Sequence, residues 1–176
     1  VTSIYQDEFG IIWIGTKDGL NRYNGTDFYV FRPVKDDKNS LYNNNIGTIC
    51  GDKQGHIYIR CKYAVVEYDI KKNTFHTIRD NDIQAISYGN TQLWVCTRDS
   101  LFTYNRVEDK LDYYYNLEGA RMSCVIEDSD GNLYVGTMNN GLYMIDGNKK
   151  WLNYLPKKDI TCIYEDSKKS IWVGTK

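Results

Sequence analysis

Acidic side chains that could do chemistry recur along this chain at nearly regular intervals. Asp7, Asp52, Asp128 and Asp166 each open a short polar turn. Paired carboxylates could hydrolyse glycosides or bind calcium. A catalytic pair, however, occurs once per site, whereas an aspartate that accepts hydrogen bonds from a turn backbone can occur in every turn. We therefore interpret these residues as turn residues and predict no catalytic carboxylate.

The histidines and cysteines give no stronger sign of chemistry. His56 and His76 have no cysteine or serine partner in the predicted strands, so a nucleophilic site is unsupported. The sequence has no EF-hand loop, Walker loop or dinucleotide-binding glycine motif. We predict no catalytic residue, no metal site and no cofactor.

The cysteines are odd in number, form no CxxC motif, and each falls in a predicted strand. They are Cys50, Cys61, Cys96, Cys124 and Cys162. This scatter is typical of small core residues rather than of zinc ligands or disulfide partners.

The elements that position these side chains repeat. The phrase from Asp7 to Thr16 returns from Asp166 to Thr175, and related phrases lie between them. Each phrase contains one anchor aromatic, and neighbouring anchors lie 36 to 45 residues apart: Trp13, Tyr58, Trp94, Tyr134 and Trp172. A period of about 40 residues indicates stacked supersecondary units.

Each unit follows the same order of four short strands. A run rich in β-branched residues leads through a polar turn to the anchor strand, and a third strand and an outer strand follow. A polar turn predicted at 146–148 leads to the outer strand of the fourth unit. The pattern predicts an all-β protein, a β-propeller of four-stranded antiparallel blades. A β-sandwich competes, but it does not explain why the same phrase recurs.

About four and a half blades fit into residues 1–176. Their predicted bounds are 1–45, 46–81, 82–119, 120–159 and, for the partial blade, 160–176. The small Gly-Thr pair after most anchors would let the next blade approach closely, while the anchor fills the space between sheets. We expect a segment of a larger propeller, because closure needs four to eight blades. Assembly with another copy is the alternative.

The charge balance argues against two classes of partner. The chain has 22 basic and 23 acidic residues, for a net charge of −1. Nucleic-acid binding usually needs a basic excess. There is no polybasic patch for a membrane surface, and no apolar run approaches the roughly 20 residues that span a bilayer.

Binding therefore remains the main function to consider. Propellers place ligands over loops that enter the inner strand and loops between the second and third strands. The candidate ligand-binding residues in these loops are Lys17, Asn44, Tyr63, Arg98, Arg121 and Asn139. Their chemistry suits neutral or acidic sugars, through arginine and asparagine hydrogen bonds and aromatic stacking. The alternative is that they are ordinary solvated loop residues.

The phrase from Val1 to Tyr23 closely resembles the two-component regulator propeller repeat. The segment 37–46 resembles the lead-in that precedes such repeats. The likeness is weaker in the second unit, where Arg60-Cys61 replaces Gly-Thr, and in the third, which lacks the turn aspartate and has Cys96-Thr97.

This resemblance implies the periplasmic sensor region of a hybrid two-component system, an inner-membrane protein with seven-bladed propellers. Such sensors detect oligosaccharides and switch on polysaccharide-utilisation genes. The parent would be a membrane-anchored homodimer with histidine kinase activity, and this segment would be noncatalytic. A propeller that mediates protein interaction or dimerisation is the first alternative. A propeller lyase or hydrolase is the second.

Overall fold

Every regular element of the structure is a β-strand. The structure, a computed structural model, describes residues 1–146 and 150–176. The turn predicted at 146–148 extends outside the described residues. Within the described ranges, no helix is long and apolar enough to cross a bilayer.

The chain divides into two compact units, Val1–Ile83 and Gln84–Lys176. Unit 1 contains two four-stranded antiparallel sheets, each with its strands in chain order. The strands of the first sheet are β1 (Ser3–Gln6), β2 (Ile12–Thr16), β3 (Gly19–Tyr23) and β4 (Phe28–Phe31). Those of the second are β5 (Ile46–Gly51), β6 (His56–Cys61), β7 (Ala64–Asp69) and β8 (Thr74–Arg79).

Unit 2 contains two further four-stranded antiparallel sheets and one strand pair. The third sheet has β9 (Ala85–Tyr88), β10 (Leu93–Cys96), β11 (Ser100–Asn105) and β12 (Lys110–Asn116). The fourth has β13 (Arg121–Glu127), β14 (Leu133–Met138), β15 (Leu142–Ile145) and β16 (Trp151–Tyr154). The pair is β17 (Ile160–Glu165) and β18 (Ile171–Thr175).

The all-β class and the four-stranded antiparallel blades are thus confirmed. The sequence predicts outer strands at 28–31, 75–78, 111–115 and 151–154, and the observed strands differ from these by at most one residue at either end. The alternation of β-branched and polar residues and the polar turns between strands explain this agreement.

The core of unit 1 lies between its two sheets. Trp13 is fully buried and contacts Phe31 and Tyr68, with ring centroids 6.1 and 5.4 Å away. Leu41, from the long connection between the sheets, joins the same cluster. That connection is also tied down where the Phe75 amide donates to the Asn39 carbonyl at 3.0 Å. The connection therefore helps to pack the two sheets together.

Glycines of the repeated phrase allow neighbouring sheets to approach. A Cβ on Gly15 would lie 2.7 Å from Ile46 Cγ2 of the next sheet in unit 1. A Cβ on Gly136 would lie 2.7 Å from Ile160 Cγ2 in unit 2. Both distances are well inside van der Waals contact, so the predicted packing role of these glycines is confirmed.

Candidate functional site

The first recurring aspartate is fully engaged in its own turn. Asp7 Oδ1 accepts hydrogen bonds from the amides of Phe9 and Ile11 at 3.0 and 2.9 Å. Its Oδ2 accepts from the indole Nε1 of Trp13 at 2.8 Å, and the carboxylate is buried. The carboxylate fixes the turn and the anchor side chain together, which leaves it no role as an acid, a base or a metal ligand.

The last copy of the phrase repeats this geometry at the surface. Asp166 Oδ1 accepts from the amides of Lys168 and Ser170, and Oδ2 accepts from Trp172 Nε1 at 2.8 Å. These hydrogen bonds, the indole bond foremost, lower the pKa of Asp166. The turn role of the aspartates is confirmed, but the indole bond was not foreseen.

Where the anchor is tyrosine, the side chain four positions after the aspartate donates to the aspartate carboxylate. His56 Nδ1 lies 2.5 Å from Asp52 Oδ2. Asn132 Nδ2 donates to Asp128 Oδ2 at 2.9 Å. The His56–Asp52 pair therefore occupies a structural position of the repeat, which argues against a catalytic dyad.

The turn of the third sheet lacks the aspartate, and a carboxylate of the fourth sheet accepts the hydrogen bonds in its place. Glu127, the last residue of β13, accepts from Trp94 Nε1 at 2.8 Å and from the Asn90 amide at 3.2 Å. A Cβ on Gly89 would overlap this carboxylate. The sequence signal is a glutamate directly before the turn aspartate of the next repeat, and our sequence reasoning missed it.

The five cysteines are thiols rather than disulfide partners, and each lies in a strand as predicted. Burial raises the pKa of Cys61 to about 12 and also raises that of Cys96. Cys162, by contrast, is exposed on β17, so its prediction as a core residue was wrong. Across residues 1–146 and 150–176, no cluster of three or more histidine, cysteine or carboxylate side chains could hold a metal ion.

Three of the candidate ligand-binding residues lie on adjoining loops at one end of unit 1. The Gly19 amide donates to the Asn44 carbonyl at 2.8 Å, which ties the hairpin carrying Lys17 to the loop entering β5. The Lys62 amide donates to the Asn45 carbonyl at 2.7 Å, which brings the hairpin carrying Tyr63 beside the same loop. Lys17 and Tyr63 are exposed. Asn44 is half-buried, and its Oδ1 has no hydrogen-bond partner.

The other three candidates lie on equivalent loops of unit 2. The Met122 amide donates to the Arg98 carbonyl at 2.8 Å, so Arg98 lies beside the start of β13. Arg121 pairs with Met138 in the β13–β14 register, next to Asn139. All three candidate side chains are exposed.

Arg60 is a candidate that the sequence reasoning did not include. It stands on β6 where the first sheet has Gly15, and its half-buried guanidinium lies against Gly47 of β5. Nη1 donates to the Lys62 carbonyl at 2.8 Å, while Nε is buried without a partner. The signal available in the sequence was the replacement of Gly-Thr by Arg60-Cys61.

Two cavities lie elsewhere in unit 1, along its outer strands. One has a volume of about 430 Å³ and the other of about 300 Å³. Their linings share part of the long connection and include His76 and Tyr29 respectively. None of the six candidate residues lines either cavity, so the concave surface and the predicted loop site are different places.

Comparison with known proteins agrees with this architecture. The sequence model of the family described as "Two component regulator propeller" matches residues 1–18, 116–139 and 154–176. The matched residues include most of the phrase from Val1 to Tyr23. The resemblance of that phrase to the two-component regulator propeller repeat is therefore confirmed.

Solved structures of other proteins also share the fold of this chain. The extracellular domain assigned to a hybrid two component system from B. thetaiotaomicron superposes with a TM-score of 0.82 at 26% identity, covering 99% of this chain and 27% of that chain. A second such domain from B. thetaiotaomicron gives 0.81 at 22% identity, with 99% and 25% covered, and shows the fold alone. A virginiamycin B lyase from Staphylococcus aureus gives 0.78 at 12% identity, with 98% and 62% covered, and likewise shows only the fold.

One curated protein, Histidine kinase P4 from Formosa agariphila, is 42% identical over 41 residues. The match covers 23% of this chain and 3% of the kinase. The chain thus spans about a quarter of the extracellular domains it superposes on and a small part of this kinase. It is similar to the extracellular sensor domains of hybrid two-component systems.

Proposed function

We propose that this chain is an oligosaccharide-sensing propeller segment in the periplasmic region of a hybrid two-component sensor. The segment itself is noncatalytic. The observation that carries the proposal is the loop arrangement, in which hydrogen bonds in each unit bring the β2–β3 type hairpins beside the loops entering the next sheet. Ligand contacts on rigidly held loops are typical of binding scaffolds.

The chemistry of these loops suits sugars. Tyr63 is 55% exposed and presents a ring on which a sugar face can stack. Arg98, Arg121 and Asn139 offer planar groups that donate hydrogen bonds to hydroxyl or acidic oxygens. The aspartates of the repeat are bound within their turns and do not compete for the ligand.

The proposal also concerns the longer protein of which this chain would be a segment. The partial match to a histidine kinase supports kinase activity in the parent protein. That parent would be a membrane-anchored homodimer and would regulate polysaccharide-utilisation genes. The likeness to extracellular domains supports a periplasmic location.

Isothermal titration of the chain against a panel of neutral and acidic oligosaccharides tests the proposal. We expect saturable binding, which Tyr63→Ala weakens roughly three- to tenfold because it removes the stacking ring. Tyr164→Ala is the matched control, since Tyr164 is a similarly exposed tyrosine on β17. No binding across the panel by the folded chain, or equal weakening by both variants, would contradict the proposal.

A further inference from the structure

Arg60 is unusual in how its charge is placed. In the phrase of the first, fourth and fifth units the same position is glycine, as at Gly15 and Gly136. Here the guanidinium lies directly over Gly47, where a Cβ would overlap it and would lie 2.8 Å from Nε. A glycine at 47 therefore makes room for an arginine at 60, which suggests that the two positions belong together.

The guanidinium is only partly satisfied. Nη1 has the Lys62 carbonyl as its acceptor, but Nε is buried without a partner. No carboxylate pairs with Arg60 in the part of the chain that the structure describes. Burial lowers the pKa of Arg60. A half-buried arginine without a counter-ion is costly for the fold alone, and an anion would offset that cost.

The hairpin that follows Arg60 brings further groups beside it. Arg60 Nη1 donates to the Lys62 carbonyl at 2.8 Å. The 2.7 Å bond from the Lys62 amide to the Asn45 carbonyl holds this hairpin against the loop entering β5. Lys62 Nζ lies 5.9 Å from the centroid of the Tyr63 ring. Residues 60–63 thus carry two cations and one exposed aromatic face.

The nearby acidic side chain of the first hairpin does not neutralise this cluster. Asp18 accepts from Arg32 Nη2 at 2.8 Å, and this ion pair holds its carboxylate. The hydrogen bond and charge of Arg32 lower the pKa of Asp18. In the described residues, no carboxylate forms an ion pair with Arg60 or Lys62.

We propose that Arg60, Lys62 and Tyr63 form a subsite for the acidic group of an acidic oligosaccharide, either a uronate carboxylate or a sulfate ester. The acidic oxygens accept from the Arg60 guanidinium and the Lys62 ammonium. The sugar ring stacks on Tyr63. The inference rests on the proposed oligosaccharide function and names the substrate class.

The decisive variant is Arg60→Gly, because it restores the residue that other repeats carry and removes a buried charge. We expect the variant to fold with unfolding stability equal to or above that of the parent chain. Titrations use three probes of equal length: tetragalacturonate, a sulfated galactose tetrasaccharide and a neutral galactose tetrasaccharide. Arg60→Gly should weaken binding of the preferred acidic probe at least tenfold and leave binding of the neutral probe unchanged.

Two further variants keep the result interpretable. Arg106→Gly removes one positive charge from an exposed turn of unit 2 and should leave every affinity within twofold. Arg60→Gln keeps much of the side-chain volume without the charge, and it should also lose affinity for the acidic probe if Arg60→Gly fails to fold. Comparing the two acidic probes distinguishes a carboxylate from a sulfate ligand.

The outcomes separate this inference from the function on which it rests. Binding of the neutral probe alone, or acidic affinity unchanged within twofold in Arg60→Gly and Arg60→Gln, would overturn the acidic subsite and leave oligosaccharide sensing standing. Absence of binding by all three probes and by a wider oligosaccharide panel would overturn both.

Discussion

At the scale of single residues, one carboxylate position carries much of the structure of each repeat. Asp7 accepts from two turn amides and from the Trp13 indole, and Asp166 does the same with Trp172. This arrangement explains why aspartate and tryptophan recur together at a separation of six residues. The recurring acid is a structural residue.

Replacing Asp7 with alanine should therefore destabilise unit 1 by about 2–4 kcal/mol, because it leaves buried donors without an acceptor. The free energy of unfolding from urea titration measures this loss. Asp166→Ala is the matched control, since it removes the same set of bonds from an exposed turn and should cost clearly less. Equal losses for the two variants would show that burial does not determine the value of this carboxylate.

The sequence could predict the turn role of these aspartates but not their partners. The recurrence of Asp-x-x-Gly is a local signal, and turn hydrogen bonds are local. The indole bond joins a turn to the following strand, and it becomes visible only when the strand register is known. Arg60 was missed for a related reason, because its environment depends on Gly47 of the neighbouring strand.

At the scale of strands and sheets, contacts between consecutive sheets rest on a few positions. Gly136 lets Ile160 of β17 approach β14, and Glu165 accepts from the amide and hydroxyl of Ser129 in the preceding turn, at 2.9 and 2.7 Å. Glu127 reaches back to the third sheet in the same manner. A glutamate before the turn aspartate is thus a link to the previous sheet.

Substituting Gly136 with alanine should destabilise unit 2 by about 1–3 kcal/mol, the usual cost of overpacking a close contact. Its Cβ would meet both Cys124 Sγ and the Ile160 side chain. Gly174→Ala is the control, because the three atoms nearest its Cβ all belong to β17 in its own sheet. Chemical denaturation followed by tryptophan fluorescence compares the two. A loss at Gly174 as large as that at Gly136 would refute the packing role assigned to the phrase glycine.

Much of the element-level structure could be read from the sequence. The repeated order of β-rich runs and polar turns predicted the strands. That the long connection between the sheets of unit 1 supplies a core residue, Leu41, was not predictable, because a loop residue's burial depends on sheets that are distant in sequence. Trp172 and Cys162 were expected to be packed, but both are exposed. Their exposure was unpredictable for the same reason.

At the scale of the whole molecule, the repeats form the scaffold and the loops carry the differences between repeats. The family model matches three parts of the chain, and one extracellular domain superposes on it with a TM-score of 0.82 at 26% identity. In the function that we propose, ligand specificity comes from positions where the repeats differ from one another, such as Arg60 and Tyr63. Their position at one loop end of unit 1 is the central claim.

Hydrogen–deuterium exchange of the chain with and without saturating tetragalacturonate tests that claim most directly. We expect slower exchange at residues 17–19, 43–45 and 61–63, because the ligand would cover these backbone segments. Residues 29–34 and 73–77, which border the outer cavities, should exchange at unchanged rates. Protection confined to those outer segments, or no protection anywhere, would contradict the account.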